Sequence, residues 1–99
     1  MTETKFTPGP WKAMLAGKEL DSAFILDSNE RAIASLYHEK NNLKTMYSNA
    51  RLIVAAPEMY EMLASIRTTL KYMGYLPYLV KDIDLILSKA RGESEVSDD

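Results

Sequence analysis

The first third of the chain shows short apolar runs separated by polar turns, which is the pattern of β-strands rather than helices. The pattern predicts strands at residues 11–16, 23–26 and 31–37. Gly17-Lys18 and residues 27–30 separate these runs and contain residue types that favour turns. Because connections this short join neighbouring strands, we expect a three-stranded antiparallel meander.

The second half shows apolar residues at spacings of three and four, which is typical of a helix that packs against another helix. This stripe comprises Leu52, Ala56, Met59, Leu63, Ile66, Leu70 and Met73. Pro57 lies inside it and lacks a backbone donor, so the pattern predicts a kink or two abutting helices at about residues 46–56 and 57–72. Gly74 then ends the helix, and Pro77 follows shortly after.

A last helix is predicted at about residues 78–90, with Gly92 as its stop. Its apolar stripe comprises Leu79, Val80, Ile83, Ile86, Leu87 and Ala90. The predicted fold is therefore α+β: a three-stranded antiparallel meander followed by a helical hairpin whose first helix is kinked or broken at Pro57.

A chain of 99 residues holds one modest core, so we expect one domain over residues 1–92. Residues 93–99 form an acidic segment without an apolar anchor, which predicts a disordered tail.

The charge balance argues against a nucleic-acid partner. The formal net charge is −2, and four of the 14 acidic residues lie within residues 93–99. Residues 1–92 therefore hold 12 basic and 10 acidic groups, or +2. So small an imbalance favours neither nucleic-acid binding nor DNA mimicry.

Cysteine is absent and His38 is the sole histidine, so the sequence offers neither a disulfide framework nor a thiolate zinc site. We expect no metal and no cofactor. The first ten residues lack the basic and apolar regions of a signal peptide, and no apolar run approaches the roughly 20 residues of a membrane span. These features favour a reducing cytoplasm and no membrane association.

Three segments, in order, resemble a family of short phage and prophage proteins of unassigned function. They are residues 7–11 (TPGPW), residues 49–59 (NARLIVAAPEM) and residues 86–93 (ILSKARGE). The chain departs from the family's usual pattern at Met59-Tyr60 and Met62, where Leu-Leu and Ala are common, and in its tyrosine-rich stretch from Tyr72 to Tyr78. The resemblance implies a phage or prophage origin and supplies no catalytic residue.

Asn49 and Arg51 are the polar members of the second segment and are therefore candidates for a functional pair. The alternative is structural. Asn49 would cap the long helix or hold the sheet edge through its amide, while Arg51 would pair with a carboxylate.

Four aromatic residues are further candidates for binding. Trp11 could stack on a base or a nucleotide, although without a basic groove it suits an anchor between sheet and helices better. Tyr72, Tyr75 and Tyr78 are spaced by three around Gly74 and Pro77, which gathers them near one end of the predicted hairpin. A domain this small has little core in which to bury all three, so they would form either a contact surface or a cover for the hairpin end.

We find no residues in a pattern typical of catalysis. Glu58 and Glu61 share a helical face, but their place in a first turn suits interaction with the helix dipole as well as a metal. We therefore expect a protein that is not an enzyme.

The favoured hypothesis is an accessory protein that binds proteins, both a second copy of itself and a host or phage protein, in host modulation or counter-defence. The alternative is a binder of a small ligand, a nucleotide or a nucleic acid through Trp11 with Arg31, Lys40, Lys44 and Arg51.

Overall fold

A computed structural model describes residues 5–15, 22–37 and 42–93. Contacts within the chain divide it into two compact units. The sheet unit is Thr7–Glu58, and the hairpin unit joins the segment that ends at Phe6 to the segment that begins at Met59. The single domain over residues 1–92 stays a prediction.

The sheet consists of three antiparallel strands in the order β1-β2-β3: β1 (Lys12–Leu15), β2 (Ser22–Leu26) and β3 (Ala32–Tyr37). Ala23 of β2 lies opposite Leu15 on one side and Leu36 on the other. The predicted meander is confirmed. The predicted Gly17-Lys18 turn, together with Ala16, lies outside the described residues.

The core of the sheet unit lies between the central strand and the first helix, α1 (Leu43–Val54). Residues of α1 at spacings of three and four face the sheet, with Met46 and Ala50 fully covered. Ile25 of β2 is fully buried beside them. Burying a side chain the size of Ile25 or Met46 contributes about 1.5–3 kcal/mol, so this contact holds α1 on the sheet.

Asp27 organises the turn between β2 and β3. Its Oδ1 atom accepts hydrogen bonds from the backbone N–H groups of Asn29, at 2.8 Å, and Arg31, at 2.9 Å. Its own N–H donates to the Arg31 carbonyl, and Glu30 adopts a positive φ of 63° at the corner. The predicted polar turn is thus an Asx turn, in which an aspartate side chain replaces a backbone acceptor.

The long helical segment is broken into two abutting helices. α1 ends at Val54, and α2 (Ala56–Met73) begins two residues later. Ala55 lies between them and donates its N–H to the carbonyls of Arg51 and Leu52. Pro57 stands in the first turn of α2, where a missing backbone donor costs nothing. The predicted division into two abutting helices is confirmed, and the break lies at Ala55, two residues before Pro57.

The hairpin consists of α2 and α3 (Pro77–Ala90). Both helices end in the same glycine motif: Gly74 and Gly92 have positive φ angles of 73° and 76°. After α2, the N–H groups of Gly74 and Tyr75 return to the carbonyls of Lys71 and Leu70, and the end of α3 repeats this arrangement. Glu93 closes the second cap through its N–H, while the rest of the predicted tail lies outside the described residues.

Two side-chain pairs show that α2 and α3 run antiparallel. Arg67 meets Asp84 near the middle of both helices, and Tyr60 at the start of α2 meets Arg91 after the end of α3. As residue numbers rise along α2, those of the partners fall along α3. The predicted α+β class, a meander followed by a helical hairpin, is confirmed.

The predicted packing stripes proved partly wrong. Ile83 and Leu87 of α3 are buried, but seven predicted members are exposed: Leu52, Met59, Ile66, Met73, Leu79, Ile86 and Ala90. In α2 Pro57 is buried, and the half-buried positions are Ala56, Tyr60, Leu63, Ala64, Arg67 and Leu70. The apolar sector of each hairpin helix is wider than the contact it makes, so part of that sector faces solvent.

Candidate protein-binding surface

The end of the hairpin carries a group of exposed side chains, which we call the tip cluster: Tyr72, Tyr75, Leu76 and Tyr78. Tyr72 is 91% exposed and Tyr78 is 85% exposed, while Tyr75 and Leu76 are each 58% exposed. Tyr72 belongs to the last turn of α2 and Tyr78 to the first turn of α3. The structure thus places all three candidate tyrosines around one short connection.

Leu76 has an unusual backbone conformation for a leucine. Its φ of 50° and ψ of 59° lie in the left-handed helical region, and it occupies the N-cap position of α3 directly before Pro77. A side chain with a Cβ atom pays about 1–2 kcal/mol for this conformation. Strain of this kind concentrates at functional sites, where the surrounding structure maintains it.

The opposite end of the hairpin is held by a polar group around Arg91. An Arg91 Nη atom donates to the Tyr60 hydroxyl at 2.9 Å, and the Tyr60 ring meets Phe6 edge to face at a centroid distance of 5.0 Å. Arg91 Nε lies 3.1 Å from a Glu93 oxygen, but its N–H is not directed along a hydrogen bond. The hydrogen bond to Tyr60 and then the interaction with Glu93 raise the pKa of Arg91, and burial opposes them.

The middle of the hairpin is linked by an ion pair. Arg67 Nε lies 2.6 Å from Asp84 Oδ1, and a second guanidinium nitrogen lies 3.4 Å from Oδ2. Both side chains are partly exposed, at 30% and 44%. The pair shows which positions of α2 and α3 lie opposite each other.

Asn49 and Arg51 do not form a pair. Both are exposed on α1, and residues two apart on a helix project in nearly opposite directions. Neither side chain has a hydrogen bond or an ion pair with another described residue. Asn49 is the seventh residue of α1, so the prediction that it caps the helix was wrong, because α1 begins at Leu43 with Asn42 as its N-cap.

Trp11 lies against the core of the sheet unit. Its ring is partly buried and packs on the cluster that contains Ile25 and Met46, and its indole N–H donates to the Thr7 carbonyl at 3.1 Å. This position is that of an anchor between strand and helix. Of the basic residues grouped with it in the ligand-binding hypothesis, Lys40 lies outside the described residues.

A second surface was missed by sequence reasoning, because all of its members except Met62 were assigned to the packing stripes. We call it the hairpin face, and it comprises Met59, Met62, Ile66 and Met73 of α2 with Leu79 and Ile86 of α3. Their exposed fractions range from 40% for Ile66 to 61% for Met62. The sequence clue was the extra apolar residue Met62, which widens the apolar sector of α2 beyond one contact.

Among the described residues, Asp27 and Arg91 are the groups whose pKa is shifted. Asp27 has a lowered pKa, chiefly because the backbone N–H of Arg31 donates to its carboxylate, and burial opposes this effect. This shift belongs to the turn and needs no catalytic role. Within the described ranges, no three acidic or histidine side chains lie close enough to hold a metal ion, and no helix is long and apolar enough to cross a membrane.

Comparison with known proteins places the chain in a phage family. The family model described as Salmonella phage P22 protein Y8K6 matches residues 1–94. The chain belongs to this family. The phage affiliation that the sequence resemblance implied is thus confirmed. The curated proteins yield no match, and neither do the solved structures.

In this member of the phage family, two of the three segments that carried the resemblance meet in space. Gly9 of the first segment lies directly against Pro57 of the second, and Pro57 is buried. Both belong to the sheet unit. The third segment forms the last turns of α3 and its glycine cap. The contact between Gly9 and Pro57 therefore joins two of these segments in the fold.

Proposed function

We propose that this phage protein is a small accessory protein that acts by binding another protein, of host or phage origin, through its tip cluster. The setting that we propose is host modulation or counter-defence in the bacterial cytoplasm, which is compatible with membership of a phage family. The proposal includes the expectation that the protein has no catalytic activity of its own.

The observation that carries the proposal is the exposure of three tyrosines around one strained connection. Tyrosine is enriched at the energetic centres of protein interfaces, because its ring offers a large apolar area and its hydroxyl tolerates water. With two main side-chain torsions, it also loses little entropy on binding. Tyr72 and Tyr78 leave almost their whole rings available for such a contact.

The backbone supports the same assignment. A glycine at position 76 would adopt the left-handed conformation freely, yet the chain places a half-exposed leucine there. A residue that costs folding free energy and shields little core is better explained by a contact outside the chain. Leu76 would then act as an apolar anchor between Tyr75 and Tyr78.

Affinity purification from phage-infected or lysogenic cells tests the proposal. The bait is the wild-type chain or the double variant Tyr75→Ser/Tyr78→Ser, and we expect the double variant to lose a partner that the wild type retains. Tyr37→Ser is the matched control, because Tyr37 is 74% exposed but lies on β3 in the sheet unit. A helical circular dichroism spectrum like that of the wild type must accompany each variant. Equal recovery of every partner by the wild type and the double variant would refute the tip cluster as the binding site.

A further inference from the structure

The two apolar stripes of the hairpin face lie on the same side of the hairpin. In α2, Met62 directly precedes the more buried Leu63, and in α3, Ile86 directly precedes the buried Leu87. Successive residues are rotated by about 100° around a helix. The exposed stripe is therefore displaced from the buried stripe in the same rotational sense in both helices. Because the helices run antiparallel, this displacement brings both stripes to one surface.

The hairpin face is large for the unit that carries it. Taking about 200 Å² for full exposure of residues of this size, its six members expose roughly 580 Å², near the top of the range for patches on monomers. Two such faces would together bury about 1,200 Å², which reaches the size of a specific interface before any rim residues are added.

The hairpin unit has little core of its own. Among its described residues, Ile83 and Leu87 are the buried apolar side chains, whereas six large ones stand on the hairpin face. Units of this size usually need a staple, a metal or oligomerisation to be stable. A partner met only occasionally could not stabilise the folded hairpin before the encounter, whereas a second copy is always present.

The face is also compatible with an identical partner. Its six members are apolar, and the exposed Asp82 lies beside them on α3, three residues after Leu79 and four before Ile86. Across a two-fold axis residue i of one copy meets residue j of the other and j meets i, so the apolar members of one face can cover those of its copy. Three of the six are methionines, whose flexible side chains adapt readily to a facing apolar surface.

We propose that the hairpin face is closed by a second copy of the chain, so that two α2–α3 hairpins form a four-helix bundle around a two-fold axis. The tip cluster lies at the end of this bundle and stays available to a different partner. The dimer surface is thus distinct from the surface assigned to partner binding above.

The test compares two residues of equal exposure on different sides of the hairpin. Met62 on the face is 61% exposed, and Leu85, which follows the half-buried Asp84 and is turned away from the face, is 62% exposed. Analytical ultracentrifugation over a wide concentration range should show a wild-type dimer. Met62→Glu should weaken self-association by about 100-fold or more, because each copy would bury an unpaired carboxylate. Leu85→Glu should associate like the wild type.

A milder pair of variants covers the case in which Met62→Glu does not fold. The chain has no cysteine, so Met62→Cys and Leu85→Cys each supply one thiol. A short thiol-to-thiol cross-linker should join two copies of the first variant and few of the second. A wild type that sediments as a monomer at every concentration would overturn the proposal, as would a dimer equally insensitive to both glutamate variants. The double variant Tyr75→Ser/Tyr78→Ser should remain a dimer, so loss of its partner and loss of the dimer are separate outcomes.

Discussion

The backbone of Gly9 lies against the ring of Pro57. A Cβ atom added at Gly9 would stand 2.9 Å from the Pro57 Cβ atom and 3.2 Å from its Cγ atom. The shorter distance is closer than carbon atoms approach without a shift of one of them. Residue 9 must therefore be small for the N-terminal segment to rest on the start of α2.

Gly9→Ala should destabilise the protein by about 1–3 kcal/mol, the usual cost of overpacking a buried contact. Urea denaturation followed by circular dichroism measures the change. The control is a double-mutant cycle with Pro57→Gly, which removes both carbon atoms that the new methyl group meets. Alanine at position 9 should cost less in that background, and an equal cost in both backgrounds would contradict the steric explanation.

Asp27 should make stability depend on pH in the acid range. Its pKa is lower in the folded protein than its ordinary value of 3.8, so the ionised carboxylate stabilises the fold above that value. This contribution is lost as the pH falls through the folded pKa. We expect the wild type to be more stable than Asp27→Asn at neutral pH, and the gap to shrink steadily below about pH 4.

Denaturant titrations of both proteins between neutral and acid pH measure this gap. The asparagine variant keeps an oxygen that can accept from Asn29 and Arg31, so it isolates the charge from the hydrogen bonds. A gap that stays constant across the whole range would show that the turn does not depend on ionisation.

Leu76 and Gly74 should respond to substitution in opposite directions. Leu76→Gly relieves a left-handed leucine and should raise the free energy of unfolding by about 1 kcal/mol, although an apolar side chain is lost. Gly74→Ala should lower it by a similar amount through the backbone alone. A methyl group at Gly74 would meet no atom within 4 Å, so crowding does not contribute.

Leu76→Gly also tests the proposed function, because it should weaken recovery of the tip partner even as it raises the melting temperature. Thermal denaturation and the affinity purification together give both readouts. A variant that gains stability and still binds fully would mark the leucine as dispensable to the surface.

The ion pair between Arg67 and Asp84 should contribute little stability. Both groups are partly exposed, and pairs of this kind contribute about 0.2–1 kcal/mol. A double-mutant cycle of Arg67→Met and Asp84→Leu should give a coupling energy in that range, which falls as salt is added. A coupling energy well above this range would mean that the pair contributes substantially to the stability of the hairpin.

Local rules were sufficient for most of the architecture. Short apolar runs located the strands, a proline inside a helical stripe located the helix break to within two residues, and Gly74 and Gly92 located the ends of both hairpin helices. These features depend on the conformational preferences of a few adjacent residues. The sequence displays such preferences directly.

The start of α1 was placed too late, although the sequence held the information. Leu43, Met46, Tyr47 and Ala50 already show the spacing of a helical face, and they pack on the sheet. Because the predicted helix began near residue 46, Asn49 was assigned to a cap. The helix in fact begins at Leu43, so Asn49 stands in an exposed middle turn.

The candidate surfaces were harder to predict than the fold. Periodicity identifies an apolar sector but not which part of it meets another element, so Ile66 could not be separated from Leu63, nor Ile86 from Leu87. The pairs that align the hairpin join residues 17 and 31 positions apart. Pairings of that range depend on the tertiary fold, and a single sequence does not reveal them.

The free edge of β3 gives a final prediction about solubility. β3 lies at one edge of the described sheet, and its sequence Ala32–Tyr37 (AIASLY) contains neither a charge nor a proline. Five of its six residues are exposed, with Leu36 half-buried. Exposed edges without charges are prone to pair with other chains, and a lysine on the edge prevents this.

Ser35→Lys should therefore raise the concentration at which the protein begins to aggregate. The melting temperature should change little, because exposed substitutions usually alter stability by less than about 0.5 kcal/mol. Light scattering during slow heating measures the aggregation onset, and Ser48→Lys on the exposed side of α1 adds the same charge away from the edge. Equal protection by both lysines would show that net charge, rather than the β3 edge, controls aggregation.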